Sequence, residues 1–423
     1  MLPLSYLRKE IEKIKEGLNK RNFQQLELLD QLLETDQKRR EIQSQLDETL
    51  SKSNKLANEI GTLFKTGQME KANTLKTKTN VLKIEGKALR EQLQNTEAAL
   101  LSIRTQIPNV PDESVPPGNS ENDNEEVFSA GNIPDLGKNA LTHWELAAKY
   151  DLIDFELGSK ITGAGFPIYK GKGAKLQRAL VQYFLDKNTA AGYTEFQVPH
   201  LVNEDSGFGT GQLPDKEGQM YHIPKDGLYL IPTAEVPLTN LFRNQIIDVE
   251  HLPICLTSYT PCFRREAGSY GTNVRGLNRL HQFDKVEIVR LEEPENSRLA
   301  LDMMVNHIKG ILEELEVPYR ILNLCGGDLG FTAALTFDFE VYSTAQKKWL
   351  EISSVSSFNS FQSERLQLRY KDKNGKKKAV HTLNGSSLAL PRILAGLLEN
   401  HQKQNEIQIP KALVPYTGFE KIN

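Results

Sequence analysis

Apolar side chains recur at helical spacing through the first hundred residues, and the rhythm then changes. Ile42, Leu46, Leu50, Leu56, Ile60 and Phe64 follow one another at roughly helical intervals. The stretch 61–68, GTLFKTGQ, interrupts them with two glycines, which predicts a turn between helices. The pattern resumes with Leu75, Leu82 and Leu89 at heptad spacing, and Leu93, Leu100 and Ile107 form a second heptad row offset by four. Two such rows make an a/d seam. The expectation is an antiparallel pair of helices, each of about 35 to 40 residues and, at about 1.5 Å rise per residue, about 55 Å long. So long a hairpin has little globular core of its own. Residues 1–107 are therefore expected to form a helical arm, with the coiled-coil hairpin at about 36–104.

Residues 108–126, PNVPDESVPPGNSENDNEE, contain four prolines, a glycine and a cluster of acids, the composition of a linker. From 127 to 423 short β-rich runs (FQVPHLV, GLYLIP, YRILNL, FTAALTFDFEVY) alternate with amphipathic helical stretches at 174–187, 297–314 and 391–404. This predicts one α+β domain of catalytic size.

Composition changes the picture in two places. Three cysteines, Cys255, Cys262 and Cys325, among 423 residues exclude a disulfide-built scaffold and lack the paired spacing of a zinc site. The N-terminal residues are charged early, by Arg8, Lys9, Glu10 and Glu12, and no apolar run reaches membrane-spanning length, so the expectation is a soluble cytoplasmic protein. The formal net charge is -3, which argues against a polyanionic partner only if the charge is evenly spread. It is not, because the window 65–87 holds six lysines against two glutamates. Lys76, Lys83 and Arg90 each follow a leucine of the first heptad row and flank the seam. Two readings are open: ion pairs across the hairpin with Asp47, Glu48 or Glu59, or a phosphate-binding edge.

The segment 256–289 carries the sharpest chemistry. Phe263-Arg264-Arg265-Glu266 leads into a glycine-containing loop with Arg275 and Arg279, which returns through His281-Gln282-Phe283-Asp284-Lys285-Val286-Glu287. An arginine at the end of one strand can grip a phosphate bidentately, and a phenylalanine on the return strand can offer its face to a base. Four further elements accompany it: Gly192 to Pro199, Thr233-Ala234-Glu235, Glu351-Ile352-Ser353-Ser354, and Asn384 to Arg392, read as a glycine-softened turn entering a helix. Each alone has a bland structural explanation.

Together, in this order and spacing, they resemble the seryl-tRNA synthetases of bacteria, class II aminoacyl-tRNA synthetases. The resemblance runs through the hairpin, IPNVPDESVP, HWELAAKYDLIDFELGSKITGAGFPIYKGKGAKLQRAL, TAEVPLTN, the 256–289 segment and HTLNGSSLALPR. It implies an antiparallel β-sheet catalytic domain flanked by helices at 127–423, preceded by the coiled-coil arm and the linker. It implies that serine is activated by ATP to seryl-adenylate and pyrophosphate. Serine would then pass to the 3′-terminal adenosine of tRNA(Ser), and of tRNA(Sec) where that is present.

Carried over residue by residue, the resemblance gives Arg264 the α-phosphate and Arg392 the γ-phosphate of ATP. It gives Glu266 and Arg265 the nucleotide, Phe283 the adenine, and Glu351 to Ser354 further ATP contacts. Arg264, Glu351 and Arg392 are its catalytic set, and Glu351 with Ser354 meets Mg²⁺, with no zinc implied. The serine pocket becomes Thr233, Ala234, Glu235, Arg264, Glu287 and Ser386. The arm, through Lys76, Lys83 and Arg90, takes tRNA bound across a homodimer whose interface includes the stretch ending in Pro199. Two departures stand out. After EISS the family commonly has Cys-Ser-Asn where this chain has Val355, Ser356 and Ser357, and of a later arginine pair only Arg365 remains, after Glu364. A catalytically dead relative would lack Arg264, Glu287 or Arg392, which are all present, and relatives that load carrier proteins lack the hairpin.

Overall fold

The computed structural model describes residues 1–266 and 275–423. Residues 267–274, part of the loop expected between Arg264 and Phe283, lie outside the described residues. The chain divides into two compact units. One comprises Leu2–Glu16 and Phe23–Pro108, the other Met1, Gly17–Asn22 and Asn109–Asn423.

The smaller unit is built on two long helices, α1 (Glu27–Lys65) and α2 (Met69–Arg104), of 39 and 36 residues. Only Thr66, Gly67 and Gln68 separate them, and Gly67 takes φ +74, a left-handed conformation natural to glycine. Gly61, expected in the turn, lies inside α1. Ile42, Leu46 and Leu89 form the buried apolar cluster of the seam, with Leu50 and Leu93 packed against it. The second heptad row extends toward the turn through Gly86, Thr79 and Ala72, all buried. Those small residues let the helices approach without the leucines that announce a seam in sequence. Phe64 is 44% exposed instead of packed. Asp36, 1% exposed, is held by Arg8 at 2.9 Å, Arg39 at 3.0 Å and Arg40 at 3.4 Å. A buried carboxylate needs such partners.

The larger unit is organised by an eight-stranded sheet. In chain order its strands are β1 (Glu125–Ala130), β2 (Thr194–Glu195), β3 (Ile254–Phe263), β4 (Gln282–Glu292), β5 (Tyr319–Asn323), β6 (Leu335–Ser343), β7 (Lys348–Ser357) and β8 (His381–Ala389). Their spatial order is β1-β5-β6-β7-β8-β4-β3-β2, antiparallel throughout except for the β2–β3 pair. Strand alternation sorts the faces. On β4, Val286 and Ile288 point into the main core, shared with Leu176 and Leu180 of α3 (Gly171–Ala190), Met304 and Ile308 of α4 (Ser297–Glu314), and Ile393 and Leu394 of α5 (Leu390–Asn400). Phe283, Lys285 and Glu287 alternate with them onto the opposite face.

Two expectations change. The stretch from Asn384 is not a turn: it is the central strand β8, running directly into α5. At Gly385 a Cβ would stand 3.1 Å from the Val355 side chain on β7, a tight contact. The proline-rich stretch after 108 is strapped onto the sheet. Asn109 donates to the carbonyls of Thr332 and Phe358 at 2.9 and 2.8 Å, Asp112 N donates to Ala334 O at 2.8 Å, and β1 begins at Glu125. Among the described residues no helix is long and apolar enough to cross a membrane.

Candidate active site

The polar face of β4, β7 and β8 floors a cavity of about 490 Å³. Its walls include Thr233, Glu235, Arg264, Glu266, Phe283, Glu287, Glu351, Ile352, Ser353, Ser354, Ser386 and Arg392. Residues spread over 160 positions of sequence thus converge because their strands are neighbours. Two irregularities aim them. Opposite Phe339 and Glu340 the register slips by one residue at Ile352, so that Glu351 and Ser354, three apart, both open on the cavity. Opposite β4, β8 carries one extra residue between Ser386 and Ala389.

At one end of the cavity lies a buried cluster of charge. Glu287, 1% exposed, receives Thr233 Oγ1 at 3.3 Å and pairs with Lys285 Nζ at 2.5 Å. Glu235, 6% exposed, accepts from Gln362 Nε2 at 2.6 Å. Burial, and next the charge of Glu287, push the Glu235 carboxyl up to about 7. Burial also raises Glu287, against the pull of Lys285, Thr233 and Arg264. Two carboxylates and the Lys285 ammonium share this buried end, where the Arg264 guanidinium also acts on Glu287.

The middle of the cavity pairs Arg264 with Phe283, the guanidinium 5.3 Å from the ring centroid. Arg264 N–H donates to His281 O at 2.9 Å, which fixes the backbone on which the guanidinium rides. Glu266 is held by Arg279 at 2.9 Å. At the far end Arg392 Nη1 lies 3.4 Å from the Glu351 carboxylate and donates to the Glu351 carbonyl at 2.8 Å, while its Nε donates to Asn278 O at 3.1 Å. Beside Glu351, Asp338 faces Ser354 across the strands. Burial, and then the charge of Glu351, push the Asp338 carboxyl well above the usual range, and its Oδ1 is buried without a partner.

Two expected site residues do not line the cavity. Ala234 is fully buried among Val198, Leu238, Leu256 and Val289. The Arg265 guanidinium lies over the Tyr221 ring at 5.7 Å. Ile352 contributes to the wall, while its side chain belongs to the main core. Sequence reasoning passed over Lys285, Asn278, Asn384 and Gln219, which the structure adds to the walls. Lys285 was legible: it stands two residues before Glu287 and two after Phe283, on the same face of one strand.

On the arm, Lys76, Lys83 and Arg90 are all exposed. Two of the three expected partners are engaged locally, Glu48 with Lys52 at 3.3 Å and Asp47 with Gln43 at 2.9 Å. Among the described residues no cluster of three or more His, Cys, Asp or Glu side chains suited to a metal occurs, and Cys255, Cys262 and Cys325 are unpaired by disulfides.

Residues 1–111 match the Seryl-tRNA synthetase N-terminal domain, and residues 221–401 match the tRNA synthetase class II core domain (G, H, P, S and T). A serine–tRNA ligase of Salinibacter ruber is 48% identical, spanning 100% of this chain and 99% of the relative. One of Chlorobaculum parvum is 43% identical over 100% of both chains. The crystal structure of seryl-tRNA synthetase from Pyrococcus horikoshii complexed with ATP aligns at TM-score 0.92 and 31% identity, covering 100% of this chain and 99% of that one. The cytoplasmic serine–tRNA ligase from Naegleria fowleri in complex with AMP aligns at TM-score 0.88 and 25% identity, with the same coverage.

Proposed function

The chain belongs to the seryl-tRNA synthetase family and is a class II serine–tRNA ligase, and from that premise we propose how its cavity carries out the reaction. ATP lies along the cavity, its adenine on Phe283 and its α-phosphate on Arg264. Its γ-phosphate lies on Arg392, and Glu266 and the 351–354 strand contact the nucleotide. Serine occupies the buried end, among Thr233, Glu235, Glu287 and Ser386. Its ammonium and hydroxyl meet the two buried glutamates.

A serine carboxylate oxygen bonds to the α-phosphorus, the bond to the bridging oxygen of the β-phosphate breaks, and pyrophosphate leaves. Two anions must meet, so the site supplies Arg264 and Arg392 to offset repulsion and stabilise the charge that builds in the transition state. No protein nucleophile is needed. A ribose hydroxyl of the tRNA's terminal adenosine then attacks the adenylate carbonyl, and AMP leaves.

Glu351 and Ser354 would hold a magnesium ion, because their oxygens open on the cavity beside the buried Asp338 carboxyl, whose Oδ1 has no partner. Magnesium bound there would draw charge from the phosphates.

The exposed Lys76, Lys83 and Arg90 give the arm a phosphate-binding edge for tRNA. In this reading the arm runs to 107 and the catalytic domain from 127, with the stretch between them strapped onto the catalytic sheet. It works in the cytoplasm as a homodimer, each arm serving tRNA on the other subunit, and it charges tRNA(Sec) where that exists.

One observation carries the catalytic assignment. Buried, paired glutamates sit in the same cavity as an arginine laid over a phenylalanine face. Arg264→Ala tests it. The variant is expected to lose serine-dependent ATP–pyrophosphate exchange by about a thousandfold or more. Retained exchange would remove Arg264 from the phosphate.

A further inference from the structure

Beside Arg392 lies a largely buried polar network that the reaction above does not use. His143 and Glu399 are both 0% exposed. His143 Nδ1 lies 2.8 Å from Glu399 Oε1, and the His143 backbone N–H donates to the same oxygen at 2.9 Å. Ser343 Oγ donates to the other carboxylate oxygen. With Nδ1–H given to a carboxylate, the imidazole keeps a lone pair on Nε2, and that atom accepts the Leu277 backbone N–H at 2.9 Å.

A second connection runs in parallel. Gln346 Nε2 donates to Glu399 Oε1 at 3.0 Å, and Gln346 Oε1 accepts from Asn278 Nδ2 at 3.0 Å. Glu399 therefore holds both Leu277 and Asn278, each through one intermediary. The Asn278 carbonyl in turn accepts from Arg392 Nε. Arg392 and Glu399 lie on the same face of α5, seven residues or about two turns apart.

The backbone is shaped for this contact. Gly276 has φ +69, and a Cβ there would collide with the rings of His143 and Trp144, so only glycine lets the chain settle on the imidazole. The Arg275 guanidinium lies 5.0 Å from the Trp144 ring. The loop limb 275–278 is thus seated on His143–Trp144 before it reaches the cavity.

We propose that His143, assisted by Gln346, is a positioning residue for ATP: it fixes the Leu277–Asn278 backbone so that the Asn278 carbonyl orients the Arg392 guanidinium toward the phosphates. This rests on the reading of Arg392 as a phosphate ligand. The effect falls on ATP and not on serine, because the network touches only the phosphate end of the cavity.

The test separates the two ring nitrogens. An asparagine at 143 can present its amide near the Nδ1 position and keep Glu399 partnered, but it cannot reach Leu277. A glutamine extends to the Nε2 position with an acceptor. In serine-dependent ATP–pyrophosphate exchange by the full chain, His143→Asn is expected to raise KM for ATP about tenfold and leave KM for serine within about twofold. His143→Gln is expected to return KM for ATP to within about threefold of wild type. Gln346→Met, which cuts the second connection from a half-buried position, is read in the same way and replaces His143→Asn should that variant not fold. An unchanged KM for ATP, or an equal rise in both KM values, would overturn the proposal. Arg392→Ala is measured alongside. If Arg392→Ala leaves KM for ATP unchanged, the reading of Arg392 fails. If it raises that KM while His143→Asn and Gln346→Met do not, only the positioning role of His143 fails.

Discussion

In the proposed serine pocket, the charge state of Glu235 bears most directly on how serine would be held. Its carboxyl is pushed up to about 7 by burial and by Glu287, so near neutrality it exists as a mixture of acid and carboxylate. Only the carboxylate pairs with an ammonium. Serine binding is therefore expected to tighten as pH rises through about 7, with KM for serine falling about tenfold between about pH 6 and pH 8. Glu235→Gln is expected to bind serine more weakly and to flatten that profile, which steady-state exchange across pH would show. The sign for stability is opposite. A carboxyl raised above its unfolded value destabilises the ligand-free fold once pH exceeds the unfolded pKa. Glu235→Gln is therefore expected to raise Tm relative to wild type, and the gain should grow with pH up to about 8.

At this scale the sequence showed its strengths and its limits. Arg264, Phe283, Glu287, Glu351 and Arg392, which line one cavity, each sit in a motif whose spacing survives in one dimension. Lys285 needed the strand face to be drawn, and His143 needed three dimensions. Its partners Leu277 and Glu399 lie 134 and 256 positions away, and no local pattern marks them.

Among the elements, the arm was the most legible, because a heptad of leucines is a local signal. Its buried positions outside the leucine rows were the least. Ala72, Thr79 and Gly86 are small seam residues that look like surface, and the buried Asp36 reads as one more exposed acid. The strand β8 was misread for a related reason. Asn-Gly-Ser-Ser has turn composition, but central position and the close approach of Val355 decide its conformation. Two measurements address the arm. Deleting roughly residues 42–100 is expected to spare serine-dependent exchange and abolish tRNA charging, and surviving charging would remove the arm from tRNA recognition. Replacing Lys76, Lys83 and Arg90 together by alanine is expected to weaken tRNA binding. It should also reduce the slope of log K against log salt by about two to three. An unchanged slope would return those side chains to ordinary surface solvation.

For the whole molecule, the formal charge of -3 hides a basic window on the arm, and here global arithmetic misleads. The fold class followed from the alternation of short apolar runs with amphipathic stretches, whereas strand order did not. Nothing local says that β8 runs between β4 and β7 or that β1 pairs with β5. That order gathers Thr233, Glu287, Glu351 and Arg392 around one cavity.

The central claim is that this cavity activates serine and discriminates by polarity. ATP–pyrophosphate exchange with serine, alanine, threonine and glycine, measured side by side, tests it directly. Serine is expected to support robust exchange. Alanine and glycine, which leave the pocket's polar groups unpaired, are expected to fall lower in kcat/KM by about ten-thousandfold or more. Threonine, excluded only by room for one methyl, is expected to fall by about 10- to 200-fold. Exchange with alanine or glycine at a rate comparable to serine would contradict the account.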